Sequence, residues 1–249
     1  MDEHRNTDRD WEQLGREKPY WAVIISSKWD VPKEEIDPSE YIEPGRQHID
    51  DICSRHPLAT LDLGNITAVD FGCGVGRLTI PMAERCEHVH AIDISSAMRS
   101  EASKNAALLG QNNVSFHETP SSVPGKIGWI NSFIVFQHIA TRNGLGLFDQ
   151  LIDLLAVGGV ISMHFTYARR SKAAARKADE LVVMSARDGK IEGLVEPNFP
   201  DNGKMLMFDY DLNKIIARLQ TRGFESLSIL FTDYRDHLGV NIIGQKGKT

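Results

Sequence analysis

Short apolar runs alternate with helical segments from Ile66 onwards, and this alternation limits the possible folds more than any other feature of the chain. The apolar runs are ITAVDF, HVHAIDI, VSFHE, WINSFIVF and GGVISMHFT. Strands that alternate with helices of about 10 to 15 residues form right-handed crossovers, which build a parallel sheet covered by helices on both faces. The sequence therefore predicts an α/β fold of the doubly wound, Rossmann-like class, with a mostly parallel seven-stranded sheet.

The C-terminal part of the chain departs from this alternation. A predicted helix, YDLNKIIARLQTRGF, is stopped by Gly223 and is followed by the strand-like runs ESLSILFTD and GVNIIGQK. Only a short loop lies between these two runs, so no crossover helix fits there. We therefore expect the two runs to pair antiparallel at one edge of the sheet.

Two segments lie outside the alternation. Residues 1–60 are rich in charged and aromatic residues and predict an N-terminal helical cap, or lid, over a domain at 61–249. The helical patches of this cap are interrupted at Pro19, Pro32, Pro38 and Pro44. Residues 167–208 begin with the helical and basic run YARRSKAAARKADELVVM and end in the loop VEPNFPDNGK. Because a connection of that length is usually functional, it predicts an insertion on the substrate side.

The composition bounds what the chain can bind. With 249 residues, of which 41% are hydrophobic, the chain can bury one substantial core. The formal net charge of -6 disfavours a nucleic-acid partner, because a protein that binds nucleic acid needs clustered excess Lys and Arg.

Three cysteines without C-x-x-C spacing indicate a reducing compartment. The polar start MDEHRNTDRDWEQ and the lack of a long apolar run disfavour a signal peptide and a membrane span. We therefore expect a cytoplasmic monomer or homodimer that acts on a small molecule.

The run VDFGCGVGRLT, residues 69–79, follows directly on the first predicted strand. Gly72 and Gly74 have no Cβ, so the chain can turn tightly there and a ligand can lie against bare backbone. In an open parallel sheet, ligands bind outside the carboxyl ends of the strands at this point. A tight turn without a ligand is the alternative interpretation. Arg77 stands where a dinucleotide-binding fingerprint has its third glycine, which disfavours pyrophosphate binding.

This run, together with HAIDISSAM, SFIVFQHI and LLAVGGVISMHFT, resembles class I S-adenosylmethionine-dependent methyltransferases over about residues 61–249. The N-terminal run DRDWEQLGREKPYWAVI is also similar to the start of bacterial small-molecule and sugar methyltransferases of this family. The resemblance implies S-adenosylmethionine as the cofactor. It implies methyl transfer to a small molecule, with an oxygen of a sugar, nucleotide sugar or other anionic metabolite as the expected acceptor. The alternatives are a nucleotide-dependent oxidoreductase of the same topology and a non-catalytic protein that binds S-adenosylmethionine.

Asp93, at the end of the second predicted strand, is expected to accept hydrogen bonds from the ribose hydroxyls of the cofactor; as an alternative it caps the next helix. The resemblance implies that Asp70 holds the ammonium end of the cofactor and that Ile94 and Met98 flank the adenine. Taken alone, these two apolar residues are more typical of a core. The cofactor-binding residues implied are Asp70, Gly72, Cys73, Gly74, Asp93, Ile94, Met98, Glu118, Thr119 and Phe136. Glu118 and Thr119 stand near where the family often has an acid that binds the adenine amino group.

Methyl transfer to a hydroxyl needs a base near the sulfonium methyl group. His138, in IVFQHIA, follows the fourth predicted strand, and its ordinary pKa of about 6.5 suits proton removal near neutrality. His164, at the end of the fifth strand, is a second candidate, and a structural role is the alternative for both. The expected acceptor-binding residues are Trp11, Tyr20, Gln137, Arg169 and Arg170.

Five cations occur within nine residues, at Arg169, Arg170, Lys172, Arg176 and Lys177. Such a run is either a solvated helix face or a surface that attracts an anionic acceptor. The spacing of Asp, Glu and His residues matches no metal-ligand pattern, so we expect a reaction that does not depend on a metal.

Overall fold

The computed structural model describes residues 7–169, 181–187, 190–194, 205–234 and 237–247. The strands within these ranges are β1 (Thr67–Phe71), β2 (His88–Ile92), β3 (Val114–His117), β4 (Ile127–Ser132), β5 (Leu155–Arg169), β6 (Leu181–Arg187), β7 (Lys190–Leu194), β8 (Met205–Phe208), β9 (Phe224–Tyr234) and β10 (His237–Lys246). The α-helices are α1 (Thr7–Glu17), α2 (Pro19–Val23), α3 (Pro38–Cys53), α4 (Thr79–Ala83), α5 (Ser96–Leu108), α6 (Thr141–Leu154) and α7 (Leu212–Gln220).

The main sheet has seven strands in the order β3-β2-β1-β4-β5-β10-β9. β1 pairs in parallel with β2 and β4, and β3 and β5 continue the parallel part on either side. β10 lies antiparallel between β5 and β9. The predicted doubly wound class and the antiparallel pair at the C-terminal edge are both confirmed.

Helices cover both faces of this sheet, because alternate residues of each buried strand point to opposite sides. On one face, α6 and α7 pack Phe148 and Ile215 into an apolar cluster with Phe165 of β5. On the other face, α3 packs Ile49 against Trp129 of β4. No helix within the described ranges combines the length and the apolar character that crossing a membrane requires.

The N-terminal segment packs against the domain through its aromatic residues. Tyr20 and Trp29 each place a ring edge to face with Tyr41, at centroid distances of 4.8 Å. The Tyr41 hydroxyl donates a hydrogen bond to the Tyr20 carbonyl oxygen (2.9 Å). The same cluster includes Met98 and Ala106 of α5, so residues of the cap share a core with the sheet-covering helices.

The prolines of the N-terminal segment do not all interrupt helices as the sequence predicts. Pro19 and Pro38 occupy the first position of α2 and α3, where a missing N–H costs nothing. Pro44, however, lies inside α3. The helix continues past it because Tyr41, Ile42 and Ile49 bury an apolar stripe that outweighs the lost backbone hydrogen bond.

The segment predicted as an insertion contains strands where the sequence indicates a helix. β5 continues to Arg169, and β6 covers the run LVVM that we predicted as helical. β6 pairs antiparallel with β7 and β8 in a three-stranded sheet. The helical prediction for this run is therefore wrong, since β-branched Val182 and Val183 favour a strand once partner strands are present. The basic positions Arg170, Lys172, Arg176 and Lys177 lie outside the described residues.

Candidate active site

A cavity of about 590 Å³ opens at the carboxyl ends of β1, β2 and β4. This is the point where the strand order reverses, and the volume lies within the range of roughly 300–1,000 Å³ that is typical of small-molecule sites. Phe71 and Ile92 contribute from the ends of β1 and β2, and Phe133 from the residue after β4. Trp11 of α1 and Val23 of α2 close the cavity from the N-terminal side.

The glycine loop after β1 lies in the cavity wall. Gly72 has φ +77° and Gly74 has φ +52°, a left-handed region that residues with a Cβ rarely adopt. A Cβ on Gly74 would approach Val23 Cγ2 to 2.7 Å, and one on Gly72 would clash with Val135. The two glycines therefore let the N-terminal helices and the turn after β4 come close to the loop, and they expose its backbone to the cavity.

Asp93 connects this loop to the start of α5. The N–H of Gly74 donates to Asp93 Oδ2 (2.8 Å), and the N–H of Ser95 donates to Oδ1 (2.9 Å). Burial raises the pKa of Asp93 to about 6, and these two hydrogen bonds oppose the rise. Each carboxylate oxygen has a further lone pair, so the side chain can still accept from a ligand in the cavity.

Glu12 fixes α1 on the start of α5. Its carboxylate accepts hydrogen bonds from the hydroxyls of Ser95 and Ser96 (both 2.9 Å) and from the N–H of Ala97 (3.2 Å). Burial raises the pKa of Glu12, but these hydrogen bonds outweigh it and lower the pKa to about 2. A carboxylate at a helix N-terminus also faces the positive end of the helix dipole. The contact places Trp11, one residue earlier, in the cavity wall.

His138 lies in the cavity wall, in the short helical turn after β4. Its ring packs edge to face with Trp11 at a centroid distance of 5.0 Å. Nδ1 is 3.1 Å from the carbonyl oxygen of Leu206, which can only accept, so we assign the proton to Nδ1. Nε2 then accepts from the side-chain amide of Gln137 (3.1 Å). Burial lowers the pKa of His138 to about 4, so the ring is neutral at pH 7 and is a weaker base than an ordinary histidine.

The structure brings together only part of the predicted site. The residues in the cavity wall are Trp11, Gly72, Gly74, Asp93, Ile94, Glu118, Thr119 and His138. The predicted residues that are described but lie outside this wall are Tyr20, Asp70, Cys73, Met98, Phe136, Gln137, His164 and Arg169.

The residues outside the wall have their own partners. Asp70 accepts hydrogen bonds from Thr79 Oγ1 (2.6 Å) and Asn131 Nδ2 (3.2 Å), and burial raises its pKa. The Tyr20 hydroxyl donates to Asn105 Oδ1 (3.0 Å). His164 Nε2 lies 2.8 Å from Thr232 Oγ1, and burial lowers the pKa of His164 to about 3.

The apolar and basic members of this group are also held elsewhere. Met98 and Phe136 are fully buried in separate apolar clusters. Arg169 pairs with Asp209 (2.9 Å), and the two side chains are 3% and 6% exposed. This ion pair holds the end of β5 against the residue that follows β8.

The cavity wall also contains residues that the sequence did not indicate as site residues. Val23 gave no signal, and Arg77 was considered only as a replacement for a glycine. Phe133, Ile134 and Val135 form the turn after β4, and Ile134 has φ +61°, a strained value for a β-branched residue. Within the described residues, no group of three or more His, Cys, Asp or Glu has a geometry suited to a metal ion.

Residues 68–159 match a protein-family model described as a methyltransferase domain. A 95-residue part of the chain is 35% identical to chloroplastic magnesium protoporphyrin IX methyltransferase from Arabidopsis thaliana, covering 37% of this chain and 30% of that protein. The chain thus matches less than a third of the length of this curated relative.

Two solved structures are similar over most of the chain. Magnesium protoporphyrin IX methyltransferase from Synechocystis PCC 6803, solved with S-adenosylmethionine bound, has a TM-score of 0.63 at 18% identity and covers 99% of this chain and 100% of its own. An S-adenosylmethionine-dependent methyltransferase from Clostridium acetobutylicum has a TM-score of 0.57 at 15% identity and covers 92% of this chain and 96% of its own. At these identities the likeness shows the fold. The predicted resemblance to methyltransferases is thus confirmed at residues 68–159, which match the methyltransferase-domain model.

Proposed function

We propose that the chain is an enzyme that binds S-adenosylmethionine and transfers its methyl group to an oxygen of a small-molecule acceptor, either a sugar, a nucleotide sugar or another anionic metabolite. One observation carries this proposal: a single cavity contains the bare backbone of the glycine loop, the Asp93 carboxylate, and the His138 ring beside Trp11. In this proposal, these features would contact the amino-acid part of the cofactor, its ribose and an acceptor.

The nucleoside part of the cofactor fits the end of the cavity that Asp93 and Ile94 line. Asp93 would accept hydrogen bonds from the ribose hydroxyls, and Ile94, a residue that is 39% exposed, offers apolar surface to the adenine. Glu118 and Thr119 lie in the same wall. Glu118 also pairs with Arg99 (3.3 Å), which helps to hold its carboxylate in place as an acceptor for the adenine amino group.

The transfer itself breaks the bond between the sulfonium sulfur and the methyl carbon, forms a bond from that carbon to the acceptor oxygen, and leaves the electron pair on sulfur. A hydroxyl acceptor must also give up its proton, and the base in the wall would be Nε2 of neutral His138 after the Gln137 amide has moved away from it. With a pKa of about 4, His138 has little driving force for this step. An anionic oxygen, such as a carboxylate, needs no base, so this environment favours an anionic acceptor.

Calorimetric titration tests the cofactor. We expect the chain to bind S-adenosylmethionine and S-adenosylhomocysteine and to bind NADH much more weakly. Binding of NADH without binding of either sulfur nucleoside would overturn the proposal and favour the oxidoreductase alternative.

Incubation with methyl-labelled S-adenosylmethionine and a panel of sugars, nucleotide sugars and carboxylic acids tests the acceptor. A methyl ester is cleaved by mild alkali, whereas a methyl ether is not, so the treatment identifies the atom that is methylated. If the acceptor oxygen is a hydroxyl, His138→Ala should lower turnover by about 10² to 10⁴. If it is anionic, the loss should be far smaller. His88→Ala, on β2 outside the cavity wall, is the matched control.

A further inference from the structure

Arg77, in the cavity wall, has a charged side chain without a hydrogen-bond or ion-pair partner among the described residues. It follows the glycine loop by three residues and lines the cavity together with Gly72 and Gly74. Within the described part of the chain, its guanidinium makes neither a hydrogen bond nor an ion pair, and its Nε is buried without an acceptor. Most buried charges in proteins are paired, so this side chain is suited to an anion that the protein itself does not supply.

The surroundings of Arg77 explain why its charge has no partner. Its Cζ lies 5.9 Å from the ring centroid of Phe133, which offers a π face and no anion. Asp70 is the carboxylate close enough to raise the pKa of Arg77, but its two oxygens already accept from Thr79 and Asn131. Burial is the larger effect and lowers the pKa of Arg77.

Two more buried nitrogens without hydrogen-bond partners among the described residues belong to rings that pack near Phe133. The His48 ring is 3.9 Å from the Phe133 ring and has an unpartnered Nε2, and the His164 ring is 5.2 Å away and has an unpartnered Nδ1. The region around Phe133 therefore contains polar nitrogens from α3, β5 and the glycine loop that have no hydrogen-bond partner among the described residues.

We propose that Arg77 binds a carboxylate group inside the cavity. The planar guanidinium fork matches a carboxylate through two parallel hydrogen bonds, which neither a lysine nor an imidazole can form. This inference rests on the proposed function, because methyl transfer brings two possible carboxylates into the cavity: the α-carboxylate of the cofactor and that of an anionic acceptor. The position of Arg77 beside Gly72 and Gly74 favours the cofactor as the source.

Calorimetry with matched ligands distinguishes the two sources. The ligands are S-adenosylhomocysteine and S-adenosyl-3-thiopropylamine, which lacks only the carboxylate, and propionate titrated into protein saturated with S-adenosylhomocysteine. The variants are Arg77→Met, which keeps an apolar stem without the charge, and Arg77→Lys, which keeps the charge without the fork. The control is Arg218→Met, which removes a positive charge from α7, outside the cavity wall.

If the carboxylate belongs to the cofactor, Arg77→Met should weaken S-adenosylhomocysteine binding by about 10- to 100-fold and leave the affinity for the decarboxylated analogue unchanged. Arg77→Lys should fall between the wild type and Arg77→Met. If the carboxylate belongs to the acceptor, S-adenosylhomocysteine binding should stay unchanged and propionate binding should be lost. If Arg77→Met binds all three ligands as the wild type does, the assignment of Arg77 is overturned, while the proposed function stands.

A wild-type chain that binds neither nucleoside would instead overturn the proposed function. The melting temperature of the ligand-free variants is a second readout. Since Arg77 has no hydrogen-bond or ion-pair partner among the residues that the structure describes, Arg77→Met should melt no lower than the wild type. A marked fall, with unchanged ligand affinities in Arg77→Lys, would show that the side chain is structural and would overturn the inference.

Discussion

Acidification should weaken cofactor binding through Asp93. This carboxylate lies in the cavity wall, accepts the N–H groups of Gly74 and Ser95, and has a pKa that burial raises to about 6. Ribose hydroxyls donate to an ionised carboxylate, whereas protonation replaces one of its acceptor positions with a donor. The ligand should therefore bind the ionised form, and its affinity should fall as the pH drops through about 6.

The pKa sets the size of the effect. At pH 7 about nine tenths of Asp93 is ionised in the ligand-free protein, and at pH 5 about one tenth, so the affinity should fall about tenfold over this interval. The stability of the ligand-free fold depends on pH in the opposite direction. Because the pKa of Asp93 in the folded protein lies above the ordinary value of 3.8, the contribution of Asp93 to the free energy of unfolding is most favourable below pH 3.8. It declines by about 3 kcal/mol as the pH rises through 6.

Titrating S-adenosylhomocysteine at pH 5, 6, 7 and 8 measures this dependence. Asp93→Asn should bind weakly at every pH, with no step near 6. Asp37→Asn makes the same change at the N-cap of α3, outside the cavity wall, and should follow the wild type. A wild-type affinity that stays constant from pH 5 to pH 7 would refute the assignment of the ribose contact to Asp93.

Three further results are expected. Glu12→Gln should loosen α1 and lower turnover more than the melting temperature, because charge-assisted hydrogen bonds to the start of α5 are lost. Since the pKa of Glu12 is lowered to about 2, the stabilisation by these hydrogen bonds is complete at neutral pH and decreases as the pH falls below about 4.5. Unchanged hydrogen exchange in residues 7–17 of the variant would contradict the prediction that α1 loosens. At saturating S-adenosylmethionine, where the affinity change caused by Asp93 has no effect, wild-type turnover should be flat from pH 6 to pH 8 because the pKa of His138 is about 4, and a rise in this saturated rate centred near 6.5 would count against that value. Asp209→Ala removes a carboxylate that pairs with buried Arg169 and should lower the free energy of unfolding by about 3–5 kcal/mol in urea titrations, whereas a loss below about 1 kcal/mol would mean that the pair adds little.

The sequence predicts the sheet well because hydrophobic patterning is local. Each strand of the parallel part is a short apolar run, and the short connection between ESLSILFTD and GVNIIGQK permits only an antiparallel pair. The run LVVM shows the limit of this reasoning. Four apolar residues fit a helix or a strand equally well. The run becomes a strand because it pairs with β7 and β8, which lie outside the alternation of strands and helices.

The candidate site is less predictable because its properties depend on residues far apart in the sequence. The glycine loop and Asp93 were indicated by a motif, but the contact of Glu12 with Ser95 joins residues 83 positions apart. The low pKa of His138 follows from burial and from the charge of Arg169, against the hydrogen bond to Leu206, and no spacing near His138 indicates these neighbours. Arg77 was visible in the motif, yet only the structure shows that its buried Nε has no hydrogen-bond acceptor among the described residues.

A continuous series of hydrogen bonds joins the glycine loop to the N-terminal helix: Gly74 donates to Asp93, Ser95 donates to Asp93 through its N–H, and the Ser95 hydroxyl donates to Glu12. Coupling between two binding events is reciprocal. If a ligand bound to Asp93 strengthens the docking of α1 by some factor, docked α1 therefore raises the affinity for that ligand by the same factor. The α1 helix therefore acts as an internal ligand, with an effective concentration set by its tether. An affinity measured on a chain without residues 7–17 would differ from that of the full chain by this factor, even with every contact around Asp93 intact.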